Sequence, residues 1–176
     1  MMEERVIAKT TLRVAKGDVT DQEIDAFVYY ATEDLKLGSG FGTAISSRGG
    51  PTIQKELDEV APLEPCAAVI SNAGTMKADK IIHAVGPRFQ EEGIEDKLRK
   101  TMESALRCAD ENGVKRVAFP PMGTGFYGVP LDTSASIMMD AIKQHLSGES
   151  GLKEIIIYVA DKREFDPFKA RLSELA

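Results

Sequence analysis

The chain is poor in the residues that would announce several common chemistries. It has two cysteines and two histidines among 176 residues. Cys66 and Cys108 show no metal-ligand spacing, and each lies in an apolar segment, so both read as buried free thiols; no metal and no cofactor are expected. Lys and Arg total 22 against 28 Asp and Glu, a formal net charge of −6. That balance argues against nonspecific nucleic-acid binding through a basic surface, though local N–H groups can still hold a single nucleotide. No apolar run approaches the ~20 residues of a membrane helix, and the charged start M-M-E-E-R has no apolar signal core behind it. A cytoplasmic protein without membrane contact is expected. A phosphate-gripping lysine of the G-K-[ST] type is missing, which removes nucleotide hydrolysis of that kind. No repeat, low-complexity tract or linker divides the chain, so one domain over 1–176 is expected.

What is present is glycine in two places. Arg116 to Leu131 reads R-V-A-F-P-P-M-G-T-G-F-Y-G-V-P-L. Val117 to Phe119 has the composition of a short buried strand, and two prolines end its pairing. Gly123, Gly125 and Gly128 follow, and Asp132 is placed to N-cap the next helix. A strand end, a glycine loop and a helix start suit a phosphate group, because glycine permits positive φ and close approach of N–H groups. The alternative is a turn that needs glycine for its own geometry. Upstream, Leu37-Gly38-Ser39-Gly40-Phe41-Gly42-Thr43 repeats the order strand, glycine loop, helix. Two such loops facing one ligand would suit a diphosphate.

The remaining pattern predicts strands over Val6–Val14, Ala26–Ala31, Cys66–Asn72, Lys80–Val85 and Leu152–Ala160. Helices are expected after Gly42, broken at Gly49-Gly50-Pro51, over Ile94–Asn112 and Thr133–Leu146, and from about Arg163 to Leu175, with a start as late as Asp166 or Pro167. With Val117–Phe119 this makes six strands. Alternation of apolar strands and amphipathic helices predicts an α/β fold with a mixed, mostly parallel sheet between helix layers, and ligands at the strand carboxyl ends. Asp18 in Lys16-Gly17-Asp18-Val19-Thr20 and Asp161 both follow strands and can share that crevice. His83 reads as a core histidine, and His145 as a partner of a helix dipole.

Read together, G17-D-V-T, D25-A-F-V, G38-S-G-F-G, I81-I-H-A-V-G-P and F119-P-P-M-G-T-G-F-Y-G-V-P-L resemble the macro domain family, which binds ADP-ribose. The resemblance covers nearly the whole chain. It implies a three-layer α/β/α sandwich with a six-stranded sheet and a cleft for ADP-ribose, free or on a protein or metabolite. By the same resemblance Asp18 would accept the adenine amino group, with the Val19 backbone beside it. Gly38, Ser39, Gly40 and Phe41 would lie along the proximal phosphate and distal ribose. Gly123, Thr124, Gly125 and Phe126 would offer N–H groups to the diphosphate, with Tyr127 near the distal ribose. An aromatic adenine wall is expected where this chain has Ala160, with Phe165 as a substitute.

Two departures bear on chemistry. Where the family has N-A-A-N, this chain has Tyr29-Tyr30-Ala31-Thr32, and an aspartate of hydrolytic members is replaced by Gly42. Thr32 keeps a hydroxyl but is a poor general base, and Asp34 is the nearest spare carboxylate. The favoured expectation is binding with weak or no turnover. The alternative is a hydrolase acting on the distal ribose of ADP-ribose derivatives, removing a protein side chain, an acetyl ester or a terminal phosphate. A third reading, a dinucleotide-binding domain using Gly123 to Gly128 with Asp161 on the ribose, fits the chain length poorly.

Overall fold

The computed structural model describes residues 1–38 and 40–175. The chain opens with a hairpin of β1 (Met2–Ile7) and β2 (Thr10–Lys16), paired from Ile7↔Thr10 outward. Its two-residue turn holds Ala8 at φ 55. This corrects the expectation of one strand over Val6–Val14, so the sheet has seven strands rather than six. Five of the six β1 residues are exposed, so the strand carries no apolar alternation to betray it.

The other strands are β3 (Ala26–Ala31), β4 (Ala68–Asn72), β5 (Lys80–Val85), β6 (Arg116–Phe119) and β7 (Glu154–Val159). The sheet order is β1-β2-β7-β6-β3-β5-β4. The five inner strands run parallel, and β1 and β4 pair antiparallel at the edges. Side chains alternate between faces with the two-residue period of a strand. On one face Val28, Ile82, Phe119 and Ile157 meet α3 (Ile94–Glu111), α4 (Leu131–Leu146) and α5 (Lys162–Glu174). On the other, Phe27, Ile81, Ala118 and Ile156 meet α1 (Phe41–Gly49) and α2 (Thr52–Val60). The result is the expected α/β/α layering, and each fully buried large apolar side chain contributes about 1.5–3 kcal/mol.

Local details depart from expectation. Asp132 does not cap α4: the helix begins at Leu131 after Pro130, with no side-chain cap bond. Asp132 sits in the first turn, where a carboxylate still complements the helix dipole. Helix α5 starts at Lys162 and runs through Pro167. The edge strand begins at Ala68 rather than Cys66, which takes φ 66 in the turn before it.

The topology opens a crevice. From β3 the chain proceeds to α1 on one face, and from β6 it proceeds to α4 on the opposite face. β3 and β6 are neighbours. The connections therefore diverge from adjacent strand ends, the arrangement in which α/β sheets place ligands.

Candidate functional site

A cleft of about 940 Å³ occupies this crevice. Its walls come from the end of β2 and the following turn, the end of β3, Gly38, Gly40 and Phe41 before and at the start of α1, the 120–127 loop and the end of β7. Of the residues singled out in the sequence, Asp18, Val19, Thr32, Asp34, Gly38, Gly40, Phe41, Gly123, Thr124, Gly125, Phe126 and Tyr127 line it. Ser39 lies outside the described residues. Asp161 is not on the wall: its carboxylate accepts the Glu164 N–H at 3.0 Å as the N-cap of α5.

At one end stands Asp18. Its Oδ1 accepts the Thr20 N–H at 2.9 Å and the Thr20 hydroxyl at 2.7 Å. Oδ2 accepts from Arg48 at 2.9 Å, and the same guanidinium also donates to the Thr20 hydroxyl. Partial burial opposes ionisation, but the Thr20 bonds and the Arg48 charge outweigh it and hold the carboxyl below its ordinary range. Arg48 comes from the last turn of α1 and is not itself part of the cleft wall. No motif in the sequence pointed to it, because the pairing spans 30 positions.

The aromatic wall at this end differs from expectation. Phe165 is 5% exposed in the core beneath α5 and does not reach the cleft. Tyr158, two residues before Ala160 and so on the same strand face, lines the cleft with Ala160 and Glu164. Gly17 lies against its ring: a Cβ at position 17 would come within 2.8 Å of Tyr158 Cδ1. The strand period of β7 carried this signal, since Tyr158 faces away from the core residues Ile157 and Val159.

The middle of the cleft is backbone. Gly123, Gly125 and Gly128 take φ 79, 69 and 78. They turn the loop through one short 3-10 turn, Gly125–Tyr127. Among the described residues no protein acceptor faces the N–H groups of Gly123, Thr124, Gly125 and Phe126. Across the cleft, Gly40 at φ 55 precedes α1, whose first N–H groups, Phe41 and Gly42, are likewise without a protein acceptor among the described residues. Free donors on both sides suit an anion, with no need of a basic side chain.

The far end is aromatic. Tyr30 stacks on Tyr127 with ring centroids 4.3 Å apart, and Phe126 meets Tyr127 edge-on at 5.2 Å. Thr32 donates to Asp34 Oδ1 at 2.7 Å, and the Lys36 N–H donates to the same oxygen at 3.0 Å. Those bonds hold the Asp34 carboxyl below its ordinary range. Burial pushes the Tyr29 phenol up to about 12, with the Tyr127 and Asp34 charges adding to it, and burial raises Tyr30 and Tyr127 in the same direction. None of these groups is poised for proton transfer near neutrality.

The histidines lie elsewhere. His83 is fully buried in β5, with Nε2 2.8 Å from Ser71 Oγ. Ser71 donates its own proton to Asn72 O, so Nε2 carries the hydrogen and Nδ1 is left as a buried, unpartnered acceptor. His145 bonds Asp110 at 2.6 Å, so a carboxylate as well as the helix end accounts for it. Among the described residues no group of three or more His, Cys, Asp or Glu side chains could hold a metal ion. Among the described residues no helix is long and apolar enough to cross a membrane.

Similarity to known proteins accords with this architecture. The macro domain-containing protein TTE0995 of Caldanaerobacter subterraneus is 35% identical over 95% of this chain and 98% of its own. The O-acetyl-ADP-ribose deacetylase 1 of Pantoea vagans is 33% identical over 88% of this chain and 94% of its own. The Trypanosoma brucei macrodomain solved in complex with ADP-ribose superposes with a TM-score of 0.83 at 25% identity, over 90% of this chain and 68% of that one. The Macro domain family model matches residues 28–138, from within β3 to the middle of α4, and the chain belongs to the Macro domain family.

Proposed function

We propose that the cleft binds ADP-ribose, or a close derivative of it, with weak or no turnover, in the cytoplasm. One observation supports the reading most directly: residues 17–20, Gly38, Gly40 and Phe41, and residues 123–127, far apart in sequence, border a single cleft. The first offers a carboxylate, an acceptor for the amino group of adenine. The other two offer N–H groups that have no protein acceptor among the described residues, the complement of a pyrophosphate. The family and the ligand in the Trypanosoma brucei neighbour point the same way. Calorimetric titration with ADP-ribose, ADP and AMP side by side tests the reading. A steep preference for ADP-ribose is expected, with no release of product over hours. Equal affinity for all three would rule out a site for the distal ribose.

A second reading, hydrolysis at the distal ribose, draws on the Thr32–Asp34 pair at the cleft wall and on the name of the Pantoea vagans relative. Against it stands Asp34, whose bound, depressed carboxyl makes a weak base. Assays with O-acetyl-ADP-ribose, ADP-ribose-1''-phosphate and a mono-ADP-ribosylated protein separate the two readings. Turnover of any one of them favours the second.

A further inference from the structure

Tyr30 lines the cleft and also makes a set of contacts within the protein. It is a bulky residue where the motif quoted above has alanine. Its hydroxyl donates to the carbonyl of Pro87. Its ring lies on Gly86 so closely that a methyl group on that glycine would fall within the ring. The same ring stacks on Tyr127 at 4.3 Å with an interplanar angle of 32°. Tyr127 closes the 3-10 turn of the glycine loop. Other restraints hold it at its base and ends: Ser134 Oγ–H to Met122 O at 2.7 Å, Thr124 Oγ–H to Pro121 O at 3.5 Å, Val129 N–H to Gly123 O at 2.9 Å, Gly128 N–H to Gly125 O at 3.0 Å, and Phe89 packed near Gly128. Phe126 at its tip is 82% exposed. A loop with three glycines at positive φ is loose by composition, and holding it in its binding shape lowers the ordering cost of binding.

We propose that Tyr30 is a positioning residue for the diphosphate loop: clamped on Gly86 and Pro87, it fixes Tyr127 and thereby aims the N–H groups of residues 123–126 into the cleft. This rests on the reading of the cleft as a diphosphate site. It gives the bulky residue at position 30 a role in rigidity, where the neighbouring departures at Thr32 and Gly42 bear on chemistry.

The test uses Tyr30→Leu, Tyr30→Phe and Gly86→Ala in the full chain. Amide hydrogen exchange without ligand reads the anchor, and calorimetry with ADP-ribose, ADP and AMP reads its effect. Tyr30→Leu should raise exchange across residues 123–127 while α3 and α4 keep their protection. It should weaken ADP-ribose and ADP by roughly three- to tenfold, the worth of an aromatic pair, and AMP by less. Tyr30→Phe, which keeps the stack, should retain most of the affinity. Gly86→Ala, outside the cleft wall, should reproduce the Leu variant. Unchanged exchange across 123–127 in Tyr30→Leu, or an equal loss for all three ligands, overturns the proposal. Failure of the wild-type protein to prefer ADP-ribose overturns the binding reading instead, and the exchange data decide the anchor separately.

Discussion

The hydroxyl of Tyr29 occupies the space into which a side chain at Gly42 would grow: a Cβ there would lie 2.8 Å from the Tyr29 oxygen and 3.0 Å from the Leu37 backbone. The two departures from the family pattern, at positions 29 and 42, are therefore one steric unit. Gly42→Asp alone should destabilise the protein by about 1–3 kcal/mol, the usual cost of overpacking. In a Tyr29→Asn background the cost should shrink, although the Leu37 backbone still crowds the site. Urea unfolding of the two single variants and the double variant measures the coupling, and additive losses would show that the residues are independent.

Hydrolysis should rise in the same order. Thr32→Asn by itself puts a carbonyl and an amide where one hydroxyl stands, and leaves Asp34 without its 2.7 Å bond from Thr32. Slow release of acetate from O-acetyl-ADP-ribose is expected from this variant, and faster release when Tyr29→Asn and Gly42→Asp are added. A triple variant that folds, binds and stays inert would show that these three positions do not decide turnover.

At the base end, Asp18→Ala removes an ionised acceptor and should cost binding about 1.5–3 kcal/mol, a ten- to hundredfold loss. Arg48→Ala should cost less, because the pair is half exposed, with side-chain accessibilities of 47% and 44%. Because the folded carboxyl titrates below its ordinary 3.8, affinity for ADP-ribose should stay level from pH 8 to pH 5 and fall only in stronger acid. A loss of affinity centred near pH 6 would point to a different titrating group.

His83 makes stability depend on pH in a defined direction. Burial, partly offset by Glu56, lowers the folded imidazole to about 4. Between that value and the unfolded ~6.5 the unfolded chain binds the extra proton, so stability is lost as pH falls through this window. Going from pH 7 to pH 5 should cost roughly 2 kcal/mol from this group alone. Denaturant melts at the two pH values, on wild type and His83→Gln, should show the loss in the first and a reduced loss in the second.

Much of this was legible in the sequence, for physical reasons that differ by element. The buried parallel strands announce themselves because both faces are apolar, as in Ala26–Ala31 and Glu154–Val159. The cleft loops announce themselves because glycine is needed where backbone donors must turn outward. β1 did not, since its partner strand and not its own pattern makes it a strand. Arg48 did not, since α1 must form before its last turn can reach Asp18. Phe165, on α5, and Tyr158, on β7, show how an assignment turns on which face of its own element a residue occupies: one is core, the other is wall.

Helix α1 begins at the glycines beside the anion donors and ends at the guanidinium that grips Asp18. Its nine residues make a rod of about 13 Å between the two places. On the proposed reading, the guanidinium that grips the base-reading carboxylate and the donors that would meet the charged bridge are thus mounted on one stiff beam. A change that tilts the beam would shift both together, so a ligand gripped at both places would be read by its span as well as by the groups at either end.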